Sequence, residues 1–281
     1  MDGKEVSGFP FRGALKYRLH DLGDDLSLKS GELRLETVVI AGSLLSISAL
    51  AWILSAQPMM MGVMGGMLGL DLTMLVLFAV SWTLGMVAMM FPTVLPMTLM
   101  VFRAGRSSSR EIKVGGGPTL TKAFTFAGAY LSLWAGFGVV LYLGIMMFSS
   151  MGGPELLGGY ASLAPPAIVL AAGVYQFVPL KGACLGRCHP STFLFRRYRG
   201  GFTGSARMGY SYGLFCVGCC WVLMVNLLVI GAMNLTWMGL FAAGILVERV
   251  APQRWRVSKV IGTVLIIVGI LMLVPLVSRQ A

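Results

Sequence analysis

The chain reads as an all-α protein, a polytopic bundle of about seven transmembrane helices with a cytoplasmic N-terminus. Three observations predict this. Mean hydropathy is +0.81, with 57% hydrophobic and 12% charged residues, whereas a soluble domain carries about 25% charge. Several apolar runs approach ~20 residues, the length a helix needs to cross a hydrocarbon core of ~30 Å. Basic residues gather in alternate loops, as they do in cytoplasmic loops. Helices also satisfy their own backbone polar groups in lipid. The runs are too continuous for the alternating strands of an outer-membrane barrel.

Residues 1–36 form a polar arm, cytosolic or interfacial, and residues 37–281 the membrane domain. No apolar stretch in the arm is followed by a cleavage site, so no cleaved signal peptide is expected. The first span is expected at about Thr37–Ala56, followed by the methionine-rich loop "QPMMMGVMGGMLGLD". The second runs from about Leu72 to Phe102, bent by Pro92 and Pro96, and the third from Ala123 to Phe148. The fourth, Tyr160–Leu180, contains Pro165 and Pro166. The fifth is Tyr210–Ile230, the sixth a brief Leu235–Val247, and the seventh Lys259–Val277.

With the N-terminus inside, 21 of the 22 basic residues fall on the cytoplasmic side and Arg279 alone on the other. Orientation thus accounts for the net charge of +11, and nucleic acid drops out as a partner. The lipid bilayer of a cell membrane is the expected environment. Anionic lipid headgroups are expected at "FLFRRYRGG", since a basic residue near the surface contributes ~1 kcal/mol. Asp71, Glu155 and Glu248 are read at the ends of spans, where charge costs little, and no span has a central Lys, Asp or Glu. That argues against a proton-coupled transporter. No nucleophile–base pair, phosphate-binding loop or carboxylate pair appears, which points away from an enzyme.

The soft ligands carry the chemistry. All five cysteines lie between Leu180 and Trp221, as "CLGRC" and "CVGCC". On a helix, Cys219 and Cys220 flank Cys216 within an arc of about 100°. Cys184 and Cys188, four apart, stack on one face if their helix continues. Both sets are read at the cytoplasmic side, Cys184 and Cys188 after the end of the fourth span and the other three just inside the start of the fifth, where disulfides are rare. Thiolates select Cu(I) and zinc, so Cu(I) is the expected cargo and Zn(II) the alternative. The bland alternative is that these thiols simply pack. His189, before Pro190, is read as solvated. Met86, Met89, Met90, Met97 and Met100 share a stripe of about 100° on the second span. They suit either a soft-metal path or ordinary core packing.

Three stretches, "SWTLGMVAMMFPTVLPM", "AAGVYQFVPLKGACLGRC" and "GLFCVGCCWVLMVNLLVIGAMNLTWMGLFAAGILVERVAP", resemble the prokaryotic family of predicted metal-binding integral membrane proteins, a domain-of-unknown-function family. The likeness covers roughly residues 75–270. It implies metal binding at Cys184, Cys188, Cys216, Cys219 and Cys220. Two functions follow: a membrane protein that binds a soft metal, foremost Cu(I), for transport or delivery; or an accessory subunit among membrane-complex partners, with packed cysteines.

Overall fold

The structure is a computed structural model describing residues 35–57, 72–111, 119–153, 158–188, 193, 201–231, 235–250 and 256–277. Residues 1–34 of the polar arm, the methionine-rich loop after Gln57, Asp71, Glu155, His189 and the basic residues of "FLFRRYRGG" lie outside the described residues. Among the described residues all regular structure is helical. The elements are α1 (Leu35–Ser55), α2 (Leu72–Glu111), α3 (Thr119–Ser150), a 3-10 turn Gly158–Leu163, α4 (Ala164–Tyr175), α5 (Pro179–Cys188), α6 (Phe202–Gly231), α7 (Leu235–Val250) and α8 (Val257–Val277).

Five of these, α1, α2, α3, α6 and α8, are long and apolar enough to cross a membrane. The pair α4 and α5, bent by 65°, makes a sixth if the two halves form one span. Seven spans were expected, and the two that depart are the fourth and sixth. At 16 residues, α7 extends only ~24 Å, short of the ~30 Å core. The fourth is broken for a local reason. Pro165 and Pro166 fall in the first turn of α4, where their missing N–H groups cost nothing. Pro179 then disfavours helical backbone at Val178. The chain tightens through Gln176, Phe177 and Val178, whose N–H groups donate to the carbonyls of Gly173, Val174 and Tyr175, and restarts as α5.

The second span is not interrupted. Pro92 and Pro96 both lie inside the 40-residue α2. Pro92 has no N–H to donate to the Ala88 carbonyl one turn back. That carbonyl instead accepts from Ser48 Oγ at 2.7 Å and Trp52 Nε1 at 3.0 Å, both on α1. The lost helical bond thereby becomes the contact that docks α1.

In the core, α3 packs against both α2 and α6, and α7 also touches both, so α2 faces α6 across them. A Cβ on Gly209 of α6 would meet the Phe126 carbonyl of α3, and one on Gly213 would meet Leu133 and Tyr130. These pairings rise together, so α3 and α6 run parallel. The "GYSYG" spacing lets the two backbones approach, as small residues do in membrane helix pairs. On the other flank α4 packs against α8, and α5 lies on α6.

Candidate metal centre

The sulfurs collect where α5 ends against α6. Cys188, Cys216, Cys219 and Cys220 are buried, Cys184 is half-buried, and all five are free thiols. Cys188 Sγ lies 4.0 Å from Cys219 Sγ, and Cys219 Sγ lies 3.2 Å from Cys220 Sγ. Cys184 covers Gly218, where an added Cβ would sit 3.2 Å from its sulfur. The two cysteine sets of the sequence, a pair on α5 and three on α6, therefore do meet. Cys216 turns elsewhere: its Sγ is 3.0 Å from Tyr130 Oη of α3 and accepts from the Arg249 guanidinium of α7.

A shell of aromatic and charged groups holds this arrangement. Tyr212 Oη donates to the Cys188 carbonyl at 3.0 Å and accepts from Arg249 at 3.3 Å. Tyr175 Oη donates to the Gly218 carbonyl. Phe193 packs edge-on against Tyr212, 5.1 Å between centroids. A second polar group adjoins. Lys181 Nζ is 2.6 Å from Glu248 Oε1, with both side chains almost wholly buried. Lys181 also donates to Gln176 Oε1, and Ser258 Oγ donates to Glu248. Glu248 is thus a buried, paired charge and not an inexpensive one at a span end. Low dielectric makes such a pair tolerable only when its hydrogen bonds are satisfied.

Two further expectations change. The helix carrying Cys216 begins at Phe202, eight residues before the expected start. Cys216 therefore lies ~21 Å along α6 rather than just inside its beginning. Lys181 and Arg249, read as loop cations, are interior. Sequence reasoning missed Arg249, Tyr130, Tyr212, Lys181 and Glu248 as parts of the centre. Signals existed: Tyr212, Cys216 and Cys219 recur at i, i+4 and i+7, and so share a helix face with the cysteines.

The methionines are in place but apart from the thiols. Met86, Met89, Met90 and Met97 are fully buried on α2 and Met100 is half-buried. Their helix packs chiefly on α3 and α7. Among the described residues, no set of three or more His, Cys, Asp or Glu side chains is arranged to hold a metal ion. Sulfurs sharing one tetrahedral ion stand about 3.8 Å apart, given metal–sulfur bonds near 2.3 Å. The Cys188–Cys219 pair approaches that spacing. Its sulfur donors are of the kind that a soft cation takes.

No curated protein and no solved structure matches the chain. The family described as PpoB2, copper chaperone, matches residues 79–272. That stretch holds the methionine stripe, all five cysteines, Arg249 and the Lys181–Glu248 pair. The match covers more than half of the chain, and by it the chain belongs to the PpoB2 copper chaperone family.

Proposed function

We propose that this is a multi-pass protein of the prokaryotic plasma membrane that binds Cu(I) as cargo through its α5–α6 thiols and delivers it onward. The observation that carries this reading is the copper chaperone family match over a stretch whose buried free thiols touch one another across two helices. Cys188 and Cys219 supply the first sulfur pair, and Cys216, Cys220 and Cys184 stand within reach of exchange. Two thiolates binding Cu(I) leave one negative charge. Arg249 offsets it in a low-dielectric interior, where an unpaired charge costs several kcal/mol. Zn(II) is the competing cargo, since it too takes cysteine sulfur.

Seven spans with the N-terminus in the cytoplasm remain the proposed topology, supported by the distribution of basic residues. The methionine stripe is proposed as a path of weak thioether sites. The absence of a ready-made group of metal ligands among the described residues favours a second reading, an accessory subunit whose cysteines only pack.

Metal analysis separates the two. Protein purified from copper- and zinc-replete cells is expected to hold about one Cu(I) per chain, with sulfur scattering in its X-ray absorption spectrum. Cys216→Ser and Cys219→Ser should each abolish binding. Metal-free wild-type protein would overturn the copper reading.

A further inference from the structure

The thiol centre contains one charge of fixed sign. Arg249, in the last turn of α7, is 6% exposed. Its guanidinium donates to Cys216 Sγ, and to Tyr212 Oη at 3.3 Å. Its Cζ lies 5.7 Å from the centroid of the Tyr212 ring. These partners are a thiol, a phenol and a π face. Glu248, the acid beside it in sequence, is committed to Lys181 and Ser258 instead. Among the described residues no carboxylate is paired with Arg249. A guanidinium cannot shed its proton, and a buried charge needs an opposite one. The negative charge has to come from the sulfurs and what they hold.

The sulfurs limit what that can be. Cys188 and Cys219 face each other at 4.0 Å across two helices. Cys220 Sγ, 3.2 Å from Cys219 Sγ, is closer than the ~3.8 Å that separates sulfurs sharing one tetrahedral ion. Among the described residues no three His, Cys, Asp or Glu side chains are arranged to hold an ion together. The centre thus offers two facing sulfurs, which bind metal as thiolates. Two thiolates on a monovalent ion leave one negative charge, and Arg249 cancels it. The same two on a divalent ion leave none, and Arg249 then stands as an uncompensated cation in a low-dielectric interior. Tyr212, which donates to the Cys188 carbonyl at 3.0 Å, links that cation to α5 as well as to Cys216 of α6.

We propose that Arg249 is the specificity-determining residue of the centre, its fixed charge selecting a monovalent soft cation over a divalent one. The proposal rests on the copper reading and adds the cause of the preference over zinc. Sulfur selects for softness, and zinc passes that test too. Charge is what separates the two ions, and Arg249 reads it.

Competition between Ag(I) and Cd(II) for the full chain in detergent tests this. Both ions are thiophilic with a filled d shell and keep one oxidation state, so they differ chiefly in charge. Arg249→Gln should move the ratio of Ag(I) to Cd(II) affinity about 100-fold toward Cd(II), the order of effect of one nearby unit charge at an effective dielectric of ~20. Arg249→Lys keeps the charge and should keep most of the preference. Tyr212→Phe removes a neutral hydrogen bond and should leave the ratio unchanged, even where both affinities fall. If Arg249→Gln weakens both ions alike, Arg249 only holds the fold, and the proposal is wrong while the copper reading stands. Wild-type protein that gives up bound Ag(I) to equimolar Cd(II) overturns the proposal whether or not the Gln variant folds. Wild-type protein that binds neither Ag(I) nor Cu(I) overturns the copper reading and the proposal with it.

Discussion

Arg249 and Lys181 show how two cations at the margins of apolar runs can be interior residues. Each closes or opens a hydrophobic stretch, and by composition each reads as a loop charge that orients the chain. Burial makes them something else: Arg249 bonds Cys216 and Tyr212, and Lys181 pairs with Glu248. The cysteines were legible because five in one short stretch stand out in any sequence, and their helical spacing placed them on shared faces. Their partners were not, because Tyr130 lies 86 residues from Cys216 and Arg249 lies 33 away. Only tertiary packing joins them. The buried pair yields a prediction. Lys181→Met strands Glu248 without its cation and should destabilise the fold by about 3–5 kcal/mol. Adding Glu248→Leu should restore most of the loss, since an apolar pair of similar size is often neutral or better. Thermal unfolding in detergent measures both, and an unchanged melting temperature in the single mutant would refute the role given to the pair.

Among the elements, the long helices α2, α3 and α6 and the short α7 were legible from hydropathy, and the fourth run was misjudged for an identifiable reason. Two prolines inside an apolar run read as bends. In α2 the helix continues past Pro92 because α1 supplies donors to the freed Ala88 carbonyl. In the fourth run the break falls at Pro179, beyond the Pro-Pro pair that drew notice. The methionine stripe is a matter of one helix face. Thioethers bind soft ions weakly and stay neutral, which spares the cost of a buried charge. Passage needs such weak successive sites. Replacing Met89 and Met97 with Leu keeps volume, so the packing cost should stay below ~1.5 kcal/mol per site. Cysteine-bound metal should be retained while copper uptake into proteoliposomes falls. Uptake unchanged in the double variant would mark the stripe as core packing.

For the molecule as a whole, the proposed orientation rests on the loop cations, and a reporter can read it. Truncation fusions to a cytosol-active enzyme after Ser108 and after Thr203 should be active, and one at the C-terminus silent. Activity at the C-terminus would overturn the seven-span topology. Lys181 and Arg249 contribute less to that asymmetry than a simple count implies, being interior, yet the remaining loops keep its sign. The parallel packing of α3 on α6 has a consequence for the order of events during synthesis. The thiol cluster draws on α3, α5, α6 and α7, and its last contributor arrives late. At about 5–20 residues per second, the 33 residues from Cys216 to Arg249 take about 2–7 s to make. For that interval α6 carries its sulfurs without their cation. On the proposed copper reading, the ion would be received by a nearly finished chain, and a truncated one that ends before α7 would lack the charge that lets it keep the ion.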